Sequence, residues 1–239
     1  MPRERVGDRL RNARIVLLAS PPGTESDDAD LSAARIIADD DDAAAVDEAV
    51  IALSRAVLAE GGTLAVRDDG YTAPLVAYVA AEYWDPAPIE TAAGPEPDRT
   101  APVLVYNVES PLSQLLFRSP FVSLGRAVGI RPAAVVLVGG GEREIREVSY
   151  WRERTESRLF FPVAGAGGAA GGFEDRREER LLERLRGLRA ELDTAERREP
   201  DPDFRDEDDR QFAFSHYPLL MRQIVDDIIA WWGEHRAQH

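Results

Sequence analysis

Residues 133–172 read AAVVLVGGGEREIREVSYWRERTESRLFFPVAGAGGAAGG. An apolar run rich in valine and leucine breaks into Gly139, Gly140 and Gly141. A helical pattern follows, then a second apolar run, LFFPV, breaks into a longer glycine-rich turn. Apolar runs this short are strands buried on both faces, and the helix between them makes the stretch one β-α-β unit of a parallel sheet. Both glycine breaks then fall at carboxyl ends of strands. In open α/β sheets that is where ligands sit, because strand exits and helix N-termini converge on a crevice there.

Working outward, Arg14–Ser20 (RIVLLAS) reads as a first strand that Pro21, Pro22 and Gly23 turn sharply. Asp39–Asp42 precede Val46, Val50, Leu53 and Val57, which share one helix face. The acids suit the positive end of the helix dipole, and a linear run lacks the convergence a metal site needs. Gly61 and Gly62 end that helix, Thr63–Val66 is a second strand, and its exit is RDDGYTAP. Thr72 is expected to cap a helix over Pro74–Trp84 that is apolar nearly all round and therefore interior. Arg67, Asp68, Asp69 and Thr72 share the edge of Ser20.

Asp85–Pro102 reads as a surface loop, and Val103–Glu109 (VLVYNVE) as a third strand. The stretch ending SPFVSLGRAVGI is expected to be a helix that stops near Gly129. In the helix after the triple glycine, Ile145, Val148 and Arg152 share a face with Trp151 beside it. The pairs Glu142/Arg146 and Arg143/Glu147 read as solvated. Leu181, Leu185, Leu188 and Leu192 form a coiled-coil-like stripe over about two heptads, too short to favour a dimer seam over packing on its own domain. Residues 194–211 are acidic, proline-containing and expected to be mobile. A last helix presents Leu220, Ile224, Ile228 and Trp232 on one face, widened by Trp231.

Composition removes whole classes of chemistry. The 239-residue chain has no cysteine and no lysine, which excludes thiolate sites, Schiff-base lysines and a Walker-type loop. A formal charge of -15 argues against a general nucleic-acid binder. The only histidines, His216, His235 and His239, cluster near the C-terminus, leaving little for a triad or a metal centre. No apolar run reaches bilayer length and no signal peptide is read, so a cytoplasmic protein without membrane, metal or cofactor is expected.

Gly165, Gly167 and Ala170 satisfy GxGxx(G/A) spacing, in which glycine lets a phosphate approach backbone N–H groups. An acidic ribose ligand at the end of a following strand is lacking, so an ordinary NAD-dependent dehydrogenase is not expected. Glu142 and Glu144 after the triple glycine would repel a phosphate but accept hydrogen bonds from sugar hydroxyls or a base. The two turns are therefore expected to divide one nucleotide, with Ser20, Asp69, Thr72, Gly139, Gly140, Gly141, Glu142, Gly165, Gly167 and Gly168 lining the site. A Gly167→Asp change is expected to abolish binding without unfolding the chain.

Four motifs in this order, AEGGTLAV at 59–66, Thr72 and Pro74 before LVAYVAAEYW, VVLVGGGEREI at 135–145 and FFPVAGAGGAA at 160–170, carry a family resemblance. The chain resembles the SLOG superfamily, Rossmann-like nucleotide-binding domains related to the LOG and TIR groups and common in bacterial antiviral systems. The likeness covers most of residues 14–172. Members typically carry a Gly-Gly-His-Pro type turn where this chain has Arg67, Asp68, Asp69 and Gly70, and hydroxyl residues where Gly165 and Ala166 stand.

The strand and helix patterns predict an α/β fold, which the resemblance makes Rossmann-like: a mostly parallel sheet flanked by helices over 1–172, with a helical C-terminal extension over 173–239, read from its own periodicity, in the same domain. It also implies a sensor for a nucleotide-derived signal, ADP-ribose-like or cyclic, that acts as a homo-oligomer or through a partner effector protein. The alternatives are an N-glycosidase using Glu142 or Glu144, although the PGGxGTxxE-type motif of LOG enzymes is lacking, and a scaffold whose pocket is degenerate.

Overall fold

The run RIVLLAS forms β1 (Arg14–Ser20), whose inner residues are all buried. Its pairing shows why both of its faces are apolar. β1 lies parallel between β2 (Thr63–Arg67) and β5 (Ala134–Gly139), in the middle of a six-stranded sheet of order β4-β3-β2-β1-β5-β6. The outer strands are β3 (Val103–Tyr106), β4 (Val122–Gly125) and β6 (Phe160–Val163), and every pairing is parallel. This computed structural model describes residues 7–21, 40–67, 71–83, 102–106, 122–125, 130–156, 159–196 and 215–235. The architecture is α/β and Rossmann-like, with helices on both faces of the sheet.

Alternation along the strands divides the core in two. Ile15, Leu17 and Ala19 face one layer, with α1 (Asp40–Ala59), α2 (Thr72–Tyr83) and α5 (Tyr217–His235). Val16 and Leu18 face the other, with α3 (Glu142–Arg152). The expected face of α1 is fully buried at Val46, Val50, Leu53 and Val57. Leu220, Ile224, Ile228 and Trp232 bury the expected face of α5 in the same core, so the C-terminal helix belongs to the sheet's own layer. Of the leucine stripe on α4 (Arg176–Glu196), Leu181 is buried and Leu185 packs against the core, while Leu188 is 55% exposed.

Three local expectations are corrected. Residues within SPFVSLGRAVGI form the edge strand β4, not a helix, because they pair with Val103–Tyr106 in parallel register. Ile145 lies exposed, and α3 packs through Glu144, Val148 and Trp151 instead. Thr72 does not cap α2. It is the first helical residue, buried, and its hydroxyl donates to the Ala19 carbonyl at 2.8 Å.

A charged clasp ties the N-terminal segment to α5. The Glu60 carboxylate, 7% exposed, accepts from Arg9 Nε at 2.6 Å and from Arg222 Nη1 at 3.1 Å. The hydrogen bond from Arg9, opposed by burial and aided by the charges of Arg9 and Arg222, holds this carboxyl below its ordinary value of 4.5. A depressed carboxyl stabilises the fold above its unfolded pKa, and that contribution is lost as pH falls through the folded value. Glu60→Gln is expected to cost about 1 kcal/mol in urea unfolding at neutral pH, kept small because both arginines are almost half solvated, and progressively less in acid.

Candidate functional site at the carboxyl edge of the sheet

The chain builds outward from β1 through β2, β3 and β4, then returns to lay β5 on the other side of β1. The order reverses there, and Ser20 stands opposite Gly139 at the exits of β1 and β5. Such a switch point splays two strand exits apart and leaves the crevice in which α/β proteins take ligands. The Gly140 N–H donates to the Ser20 carbonyl at 2.7 Å, which fixes the two exits against each other.

The glycine turns are structural as well as open. At the triple glycine, Gly141 precedes α3 and its N–H is taken at 2.8 Å by the Glu144 carboxylate, which is buried. This is the reciprocal half of a capping box, so Glu144 is committed to the backbone. The longer turn forms two short 3-10 segments, Ala164–Ala166 and Gly168–Gly172, ahead of α4. The Gly165 N–H donates at 2.7 Å to the Glu178 carboxylate, whose other oxygen meets His216 Nε2 at 2.6 Å. A carboxylate from α4 thus stands where a phosphate was expected, and it links the turn to the head of α5.

The expected site residues are placed as follows. Gly168 meets Gly139 and Gly140 where the turns after β5 and β6 touch, with the Ala169 N–H donating to the Gly140 carbonyl at 2.8 Å, while Gly167 and Gly165 lie in the same turn after β6, Gly165 facing Glu178. Ser20 adjoins them. Glu142 is exposed. Thr72 is in reach of β1 but its hydroxyl is spent on Ala19. Asp69 lies outside the described residues. Gly167 has φ 69° and ψ -156°, a region only glycine populates readily, so Gly167→Asp would strain the backbone and lost binding would not isolate a ligand contact.

Sequence reasoning missed a polar row on the α3 face. By strand alternation Ser20, Arg67 and Tyr106 close three neighbouring strands, β1, β2 and β3, on that face, with Arg67 in register with Tyr106. The Arg67 guanidinium forms an ion pair with Glu147 of α3, both side chains being less than a fifth exposed. The Tyr106 hydroxyl donates to Glu147 Oε2 at 3.3 Å. Glu147 was expected to be a solvated partner of Arg143; α3 instead turns it inward to the strand exits. Burial pushes its carboxyl above the ordinary 4.5, opposed by the Arg67 charge and reinforced by nearby Glu144. Ser20 Oγ, Arg67 Nε and Arg143 Nε are buried atoms with no hydrogen-bond partner among the described residues.

Unmade hydrogen bonds at buried donors are uncommon in folded proteins and mark places where another group completes the set. A separate groove of about 310 Å³ flanks the outer edge of β6, between Arg152, Phe160, Phe173 and Arg177. Two of its three arginines are already engaged: Arg152 lies over Phe160, and Arg177 pairs with Asp175 and Asp227, while Arg176 is exposed. Among the described residues no group of three or more His, Asp or Glu side chains is placed to hold a metal ion, and no helix is long and apolar enough to cross a membrane. No family model, curated protein or solved structure matches the chain.

Proposed function

We propose that the chain is a sensor that binds a nucleotide-derived signal, ADP-ribose-like or cyclic, at the carboxyl edge of its sheet. The observation that carries this reading is the β1/β5 switch point, where Ser20 faces Gly139 and the neighbouring exits present buried polar atoms with no hydrogen-bond partner among the described residues. The ligand's polar groups complete Ser20, Arg67 and Glu147, while the glycine turns supply shape. The resemblance to SLOG domains supports the same ligand class, a role in bacterial antiviral defence and an output through a second copy or an effector protein.

One observation favours a second reading. A largely buried carboxyl with a raised pKa beside an arginine is what general acid-base work on an N-glycosidic bond uses, and here that residue is Glu147 rather than Glu142 or Glu144. Thermal shift against ADP-ribose, NAD, AMP and cyclic nucleotides, with chromatography of each mixture, separates the two. Binding to the native state raises the melting temperature by mass action, so a shift with intact ligand is the expected result. Accumulation of free base would replace the sensor with the glycosidase, and neither shift nor turnover would leave a scaffold.

A further inference from the structure

The Arg67–Glu147 pair occupies an unusual place. In parallel sheets the exits are where ligands enter, yet here a cation at the end of β2 is closed by a carboxylate from α3. A guanidinium offers five N–H donors in a planar fork that matches the oxygens of a phosphate or carboxylate. In Arg67 part of that fork is unused, since its Nε is buried without a hydrogen-bond partner among the described residues. Ser20 Oγ, two strands' width of the same edge away from Tyr106, is in the same condition.

The geometry points to Arg67 as the anchor for a phosphate of the ligand and to Glu147 as its resident counter-ion, which that phosphate displaces. The inference rests on the sensor reading above and adds the ligand's anchoring group and what it must release. Glu147 is a weak holder of the position. It is largely buried beside a second carboxylate, Glu144, which is itself fixed on the Gly141 N–H. Burial raises its carboxyl toward the neutral form, and a phosphate brings more charge and more acceptor oxygens to the same fork. Ion exchange on Arg67 then frees Glu147 to turn to a sugar hydroxyl, the role that its place after the triple glycine had suggested for Glu142.

Calorimetric titration of the full chain with pyrophosphate and with ADP-ribose tests this, using wild type, Arg67→Gln, Arg67→Lys and Glu147→Gln. Removing a charge-assisted bidentate bond is expected to weaken both probes about tenfold or more in Arg67→Gln, and less in Arg67→Lys, which keeps the charge. Glu147→Gln leaves a neutral competitor and is expected to tighten pyrophosphate about tenfold. Should Arg67→Gln fail to fold, Arg67→Lys and Glu147→Gln carry the test between them. Unchanged or weaker pyrophosphate binding in Glu147→Gln overturns the inference, as does ADP-ribose binding that neither Arg67 change affects, which would leave the sensor standing. Pyrophosphate binding that follows Arg67, with no affinity for any nucleotide, keeps the anchor and overturns the nucleotide reading.

Discussion

Trp151→Ala is expected to be among the most destabilising single changes in the chain, at about 3–5 kcal/mol. Trp151 is 1% exposed and lies under the sheet on the face that carries the polar row. Its ring meets Tyr106 edge-on at 5.5 Å and 69° and Tyr150 at 4.8 Å and 87°, arrangements that add attraction beyond buried area. Truncation leaves a cavity in a small core cluster with few residues able to collapse into it. For a chain of this size the melting temperature should fall by roughly 10 °C. Because Tyr106 rests on Trp151 and donates to Glu147, the surviving folded fraction should also bind ligand less well. Urea unfolding measures the first effect, and a loss under about 1 kcal/mol would show the second layer to be loosely packed.

Gly168→Ala is expected to cost about 3 kcal/mol, although it adds one methyl group. Gly168 has φ +56°, and a Cβ there would lie 2.4 Å from the Gly140 carbonyl oxygen and 2.9 Å from the Gly139 carbonyl carbon. Both obstacles are backbone, so no side chain can swing aside. Relief requires the turn after β6 to withdraw from the turn after β5, which breaks the Ala169 N–H to Gly140 bond. Gly172→Ala is the matched control, since a Cβ there meets nothing within 4 Å. Equal melting temperatures for the two variants would mean that the glycine turns do not pack as described.

The frame of this fold was legible because its signals are local. Strands buried on both faces, the 3.6-residue stripes of α1 and α5, and glycines closing strands each need only a short window of sequence. β4 was not legible for the same reason. Four residues within SPFVSLGRAVGI fit a strand or a helix equally, and only pairing with β3 decides between them. Packing of α3 through Trp151 rather than Ile145 likewise depends on how the helix lies on the sheet.

The site was half legible. Ser20 and the glycines mark strand exits and could be found by pattern. Arg67, Tyr106 and Glu147 meet only because parallel strands fall into register and α3 turns its sixth residue, Glu147, inward. In the sequence Glu147 resembles any solvated helix acid paired with Arg143, and Tyr106 any apolar strand residue. Their one advance signal was that Arg67, alone among the basic residues, directly ends an apolar strand. The carboxylate on Gly165 was equally hidden, since Glu178 and His216 reach that turn from 13 and 51 positions away in the chain.

The most direct test of the central claim is an amide chemical-shift map of the isotope-labelled full chain titrated with ADP-ribose. The expected perturbations concentrate on Ser20, Arg67, Tyr106 and Gly139–Glu147, where the strand exits and α3 meet. Perturbations confined to the groove around Arg152, Phe160 and Arg177, or none at all at saturating ligand, would contradict a ligand site at the β1/β5 switch point.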